Sequence, residues 1–139
     1  MKIENAALIG LGAMGVFFAP RLEAGLGREH FCVIAEGERR ERLENRGVTV
    51  NGTNYRFRVA SPQEGTPADL LIIAVKDTGL AQAIRDIRQF VGENTVILCV
   101  MNGVESEEKV AAAYGWEHML YSYMKIPVEL KNGAYDFDP

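Results

Sequence analysis

Short apolar runs alternate along the chain with longer stretches in which apolar positions recur every three or four residues. That alternation predicts strands and helices in turn. A strand over Ala6–Ile9 leads into a helix over Ala13–Leu26, apolar on most of its faces and closed by Gly25-Leu26-Gly27. Pro20 falls inside this helix and predicts a kink, because it removes one interior hydrogen bond. A second strand over 31–35 precedes residues 38–46, where Leu43 is the sole apolar anchor among opposite charges. This run predicts a helix whose charged faces are solvated rather than a binding surface.

Residues 48–59 break the rhythm. Val48 and Val50 alternate with polar positions, Asn51-Gly52 supplies a turn, and Tyr55, Phe57 and Val59 alternate again, predicting a hairpin. Residues 69–75 form a continuous apolar strand of the kind buried on both faces. Asp77 or Thr78 is placed to cap the next helix, whose stripe is Leu80, Ile84, Ile87 and Val91. Another buried strand over 95–101 is followed by Asn102-Gly103 and a helix over Glu105–Tyr114. Residues 119–124 predict a further strand. Residues 126–130 with the Asn132-Gly133 turn predict an edge hairpin, where Pro127 is tolerated. The sum is an α/β domain over 1–139: a doubly wound, mostly parallel, Rossmann-like sheet with helices on both faces. The pattern breaks off at Pro139, so the expectation is a fragment of a longer polypeptide.

Composition narrows the classes. A length of 139 residues with 47% hydrophobic positions suits one globular domain. A net charge of −4 without a basic cluster argues against nucleic acid, and no apolar run is long enough to span a bilayer. Residues 1–5 lack the apolar core of a secretory signal, which sets a cytoplasmic expectation. Cys32 and Cys99 sit in apolar runs without C-x-x-C spacing and read as buried, inert thiols. His30 and His118 have no neighbour at metal-ligand spacing, so no metal is expected.

Candidate chemistry begins at Gly10-Leu11-Gly12-Ala13-Met14-Gly15, a G-x-G-x-x-G turn between the first strand and its helix. Gly10 permits the tight turn, Gly12 lets backbone approach a pyrophosphate, and Gly15 lets helix and strand pack closely. The helix start adds unpaired N–H groups and a positive dipole end. Three polar positions follow strands at the sheet's carboxyl edge: Glu36, Lys76 after Val75, and Asn102. Glu36, 21 residues after Gly15, suits the ribose hydroxyls of NAD. It would repel a 2′-phosphate by about 4 kcal/mol per charge pair at roughly 4 Å and an effective dielectric of about 20. Arg39 and Arg40 could either offset it or pair with neighbouring glutamates. Lys76 reads equally as a phosphate, ribose or substrate-carboxylate ligand and as a snorkelling strand-end lysine. Asn102 reads equally as a turn residue and as a nicotinamide or substrate contact.

In order, the glycine turn, Arg21-Leu22, Val33-Ile34-Ala35 with Gly37-Glu38, residues 47–51, Ala74-Val75-Lys76 and Asn102-Gly103-Val104 resemble the 2-dehydropantoate 2-reductase (ketopantoate reductase) family. The resemblance covers nearly the whole chain. Similar glycine turns in 3-hydroxyisobutyrate and 6-phosphogluconate dehydrogenases lack the same hairpin followed by Ala-Val-Lys and Asn-Gly. The resemblance implies an N-terminal cofactor domain of an enzyme that reduces 2-dehydropantoate to pantoate with NADPH, on the way to pantothenate and coenzyme A. It places the glycine turn at the pyrophosphate and Lys76 and Asn102 at the cofactor–substrate junction. Glu36 stands where family members often carry an arginine for the 2′-phosphate, so family resemblance favours NADP and Glu36 favours NAD. By the same resemblance the catalytic lysine is expected from a helical C-terminal domain beyond these 139 residues, so no catalytic acid is assigned here. The expected partner is a small 2-oxo acid, with a homodimer left open. The rival reading is a free-standing dinucleotide-sensing module.

Overall fold

Six parallel strands stand side by side in a computed structural model that describes residues 3–11, 13–100, 105–120, 128–131 and 134–137. In chain order the elements begin with β1 (Ala6–Ile9), α1 (Ala13–Leu26), β2 (Phe31–Ile34) and α2 (Gly37–Asn45). Then come β3 (Val48–Val50), β4 (Thr53–Tyr55), β5 (Val59–Ala60), β6 (Leu70–Ile73) and α3 (Leu80–Asp86). The last are β7 (Val96–Cys99), α4 (Glu105–Tyr114), β8 (Met119–Leu120), β9 (Val128–Lys131) and β10 (Ala134–Phe137). The main sheet runs β5-β2-β1-β6-β7-β8, and a smaller sheet runs β4-β3-β10-β9. This is the doubly wound α/β architecture expected from the alternating pattern.

The strands are apolar on both faces because helices cover both. Ala7, Ile9, Cys32, Ile34, Ile73 and Cys99 point to one side, against Leu80 and Ala83 of α3 and Val110 of α4. Ala6, Leu8, Phe31, Val33 and Ile72 point to the other, against Ala19 and Leu22 of α1 and Leu43 of α2. Alternate residues thus serve opposite cores, and a one-residue slip would exchange the two faces.

The ladder sets the carboxyl edge. Ile9 pairs with Ile34 on one side and Ile73 on the other, and Ile73 pairs with Cys99. Four strands therefore end in one row. Chain order reverses between β1 and β6, so the connections after these neighbours leave in opposite directions and open a crevice between them.

Several local expectations change. The alternation over 48–59 is not one hairpin: β3 and β4 pair antiparallel, but Val59 and Ala60 cross to pair parallel with β2. Phe57 anchors that crossing, edge-to-face with Phe31 at 5.8 Å and stacked on Tyr55 at 5.5 Å. The N-cap of α3 expected at Asp77 or Thr78 falls elsewhere. Those residues form a 3-10 turn over Asp77–Gly79, and Gly79 is the N-cap, without a side-chain cap bond. The edge hairpin exists as β9 and β10, and β10 also pairs parallel with β3. Of the strand expected over 119–124, β8 covers the first two residues and 121–124 lie outside the described residues, as do Pro127 and Asn132-Gly133.

Cys32 and Cys99 are buried free thiols. Burial pushes both up: Cys32 is raised with Arg58 partly opposing, and Cys99 reaches about 12 with the Glu107 charge adding to burial. Both are held as unreactive thiols.

Candidate cofactor site

The turn after β1 is shaped by contacts that leave no room for side chains. Gly10 has φ +96°, a left-handed conformation, and a Cβ there would stand 2.5 Å from the Ala74 carbonyl oxygen and 2.8 Å from Val75 Cγ1. Gly15, in the first turn of α1, faces the Gly10 carbonyl, and a Cβ on Gly15 would collide with that oxygen. The backbone of α1 is thereby drawn down onto the end of β1. No acidic residue occupies the first turn of α1, so that turn itself sets no carboxylate against the positive end of the helix dipole.

A cleft of about 810 Å³ lies over this edge, within the size range of small-molecule sites. Ile9, Gly10 and Leu11 form its floor, with Ala74, Val75 and Lys76 from the end of β6 beside them. One wall carries Arg39, Arg42 and Arg46 of the α2 region, and the other Thr78, Gln82 and Asp86. The Ala74 amide donates to the Ile9 carbonyl at 2.9 Å and the Gly79 amide to the Lys76 carbonyl at 2.8 Å, so backbone bonds fix the β6 rim. Gln82 Nε2 donates to Asp86 at 2.8 Å while Arg85 donates to Gln82 Oε1, which holds the α3 wall.

Of the residues expected at the site, Gly10, Leu11, Val75 and Lys76 meet in this cleft. Gly15 lies beneath the turn, and Ala13 and Met14 are placed as backbone of α1. Gly12 and Asn102 lie outside the described residues. Glu36 is exposed at the N-cap of α2, makes no cap bond, and is not among the residues lining the cleft. Arg40 donates to Glu44 at 2.9 Å and also bonds Glu64, whose carboxyl is held below its ordinary value by that guanidinium and by Ser61. The α2 charges at Arg39, Arg42 and Arg46 are exposed, as the sequence pattern suggested, and this stripe also lines the cleft. Arg42, Arg46, Gln82 and Asp86 were missed; the helical spacing of the arginines was the available signal.

A glycine cradle under a helix start, at the switch point of a parallel sheet, fits a dinucleotide's diphosphate. A model of the family described as ketopantoate reductase PanE/ApbA matches residues 6–136. The chain belongs to this family. Ketopantoate reductase-family membership makes it a domain of an NAD(P)-dependent oxidoreductase family.

This family member is 27% identical over 130 residues to the uncharacterized oxidoreductase YkpB of Bacillus subtilis, covering 90% of the chain and 42% of YkpB. It is 31% identical over 72 residues to a 2-dehydropantoate 2-reductase of Streptococcus pyogenes, covering 49% of the chain and 24% of that enzyme. The chain thus spans less than half the length of these curated relatives. In fold it is similar to D-mandelate dehydrogenase with NADH and anilino(oxo)acetate, with TM-score 0.81 and 20% identity over 97% of the chain and 46% of the dehydrogenase. A putative 2-dehydropantoate 2-reductase of Enterococcus faecalis gives TM-score 0.78 at 23% identity, covering 97% of the chain and 46% of that structure. Among the described residues, no helix is long and apolar enough to cross a membrane, and no group of His, Cys, Asp and Glu could hold a metal ion.

Proposed function

We propose that this chain is the dinucleotide-holding half of a reductase for a small 2-oxo acid, with 2-dehydropantoate as the substrate and pantoate as the product. The observation that carries the reading is the Gly10–Gly15–Ala74 approach, which clears side chains from the turn where a diphosphate would meet main-chain amides. The family match and the 2-dehydropantoate 2-reductases among the relatives support the substrate class.

The bound cofactor would supply hydride from its nicotinamide to the ketone carbon. The chain's own residues bind and orient. The turn amides of Gly10 and Leu11 and the start of α1 hold the diphosphate, and the apolar floor of Ile9, Leu11 and Val75 excludes water beneath it. Lys76, exposed on the cleft rim with no carboxylate partner among the described residues, offers an ammonium to a ribose hydroxyl or to the substrate carboxylate. Asn102 is proposed for the same junction. Glu36 lies off the cleft lining, and the reading does not rest on it. The group that protonates the new hydroxyl is not assigned to this chain.

The test is a titration of nicotinamide fluorescence with the chain, followed by addition of 2-dehydropantoate to the complex. The proposal expects saturable dinucleotide binding and a further change with the oxo acid that Lys76→Ala weakens at least tenfold. Saturable dinucleotide binding with no response to any 2-oxo acid would overturn the substrate half of the reading.

A further inference from the structure

The amino edge of the main sheet carries a hollow of its own. Its volume is about 130 Å³, and it opens beside β1, β2 and β5 on the face that α3 covers. The floor is made of small side chains on three neighbouring strands: Ala7 beside Cys32 in the ladder, and Ala60 on β5. All three are buried. The roof is the loop over 61–68, and it is pinned too firmly to settle into the gap. Ser61 and Glu64 close a capping box around its 3-10 turn, and the Ala68 amide donates to the Phe90 carbonyl at 2.9 Å. Gly65 lies so near Phe90 that a Cβ would stand 2.7 Å from the ring. A gap held open between a fixed floor and a fixed roof is a preformed site.

Both signs of charge meet at its mouth. Glu29, in the turn before β2, and Arg58, just before β5, line the hollow, and neither has a side-chain hydrogen bond or ion pair among the described residues. Glu64 lines it from the roof; Arg40 and the Ser61 amide engage its Oε1, which leaves Oε2. Asn5, His30 and Thr66 add hydrogen-bonding groups around the same opening. Rim charges in open water need no partner. These stand over a buried floor, and the Arg58 charge reaches the Cys32 thiol there, partly opposing the effect of burial. A lone anion would meet the two carboxylates, and a lone cation the guanidinium; a molecule that carries both charges matches each. Volume sets its size. An apolar cavity of about 150 Å³ holds the six ring atoms of benzene, so about five or six non-hydrogen atoms fit here. We infer that this hollow binds a small zwitterion, an amino acid of the size of glycine or alanine, with its carboxylate on Arg58 and its ammonium between Glu29 and Glu64. The inference does not rest on the dinucleotide reading, whose turn lies at the opposite edge of the sheet.

The experiment follows backbone amide resonances of the intact chain by NMR as glycine, propionate or propylamine is added. Propionate has a methyl group where glycine has its ammonium, and propylamine lacks the carboxylate. Glycine is expected to give saturable shifts at Ala7, Cys32 and Ala60 in about the millimolar range that suits so small a ligand, with Gly10 and Leu11 unmoved. Propionate and propylamine are expected to bind about tenfold more weakly or worse. Arg58→Gln lowers glycine affinity by about tenfold, and Glu29→Gln brings glycine and propionate within about threefold of each other. Both side chains are exposed, and thermal melts of each variant verify folding. The inference is overturned if glycine gives no saturable shifts at these amides, or if propionate binds as tightly as glycine. Glycine affinity unchanged by Arg58→Gln, or a preference over propionate that survives Glu29→Gln, overturns it too. None of these results touches the dinucleotide reading, which ADP-ribose tests separately at Gly10 and Leu11.

Discussion

The α-carbon of Gly15 is packed so closely against the carbonyl of Gly10 that even a methyl group on Gly15 would collide with that oxygen. Gly15→Ala must therefore push α1 away from the end of β1, at a cost of about 1–3 kcal/mol for overpacking. Gly25, also in α1, has open space around its Cβ position. Gly25→Ala is expected to stabilise the chain by about 0.5–1 kcal/mol through the unfolded state. Urea unfolding of the two variants checks the contrast. Equal effects would show that the turn is not tightly packed.

Thr95 ties together the bottom of the sheet. Its hydroxyl is buried, accepts from the Gly92 amide at 2.8 Å and donates to the Ala68 carbonyl at 2.6 Å. Thr95→Val keeps the shape but strands both backbone groups, and about 1–3 kcal/mol of stability is expected to be lost. Thr95→Ser, which keeps both bonds, should retain most of it. Denaturant midpoints of the pair decide, and a Ser variant as weak as Val would contradict the hydrogen-bond account.

Glu107 makes the opposite case. It is 8% exposed on the first turns of α4, and its Oε2 is buried with no hydrogen-bond partner among the described residues. Burial raises its carboxyl above the ordinary 4.5. The folded chain thus holds that proton more tightly than the unfolded chain does. Its contribution is present below the ordinary carboxylate range and is lost as pH climbs through the raised value. Glu107→Gln removes the charge while keeping the shape, and is expected to raise Tm at pH 8 by about 3–5 °C, on the order of 1 kcal/mol. At pH 4 it should change Tm little. A loss of Tm at both pH values would contradict a raised, unpartnered carboxyl.

Much of this was legible from local pattern. The bounds of α1 and α4 read directly as Ala13–Leu26 and Glu105–Tyr114, because glycine punctuation and apolar periodicity agree there. Pro20 did not end α1, since the helix is held by packing of Val16 and Ala19 against the sheet and its neighbours. The strand at 70–73 reads longer in sequence because Ala74 and Val75 stay apolar after leaving the ladder to become the cleft rim. What stayed hidden was non-local. Alternation at Tyr55, Phe57 and Val59 cannot reveal that Val59 will pair with Val33 across the sheet. Nor could the charges of α2 show which of its faces would look into a cleft, because β1, β6 and α3 build the opposite side.

The central claim is that main-chain amides after β1 receive a diphosphate. The direct measurement follows backbone amide resonances of the chain by NMR as ADP-ribose is added. The account predicts saturable shifts largest at Gly10, Leu11 and Gly15, with smaller ones at Val75 and Lys76, and none at Thr95 or Ala68 at the far edge. Saturable binding whose shifts leave Gly10, Leu11 and Gly15 unmoved would contradict it.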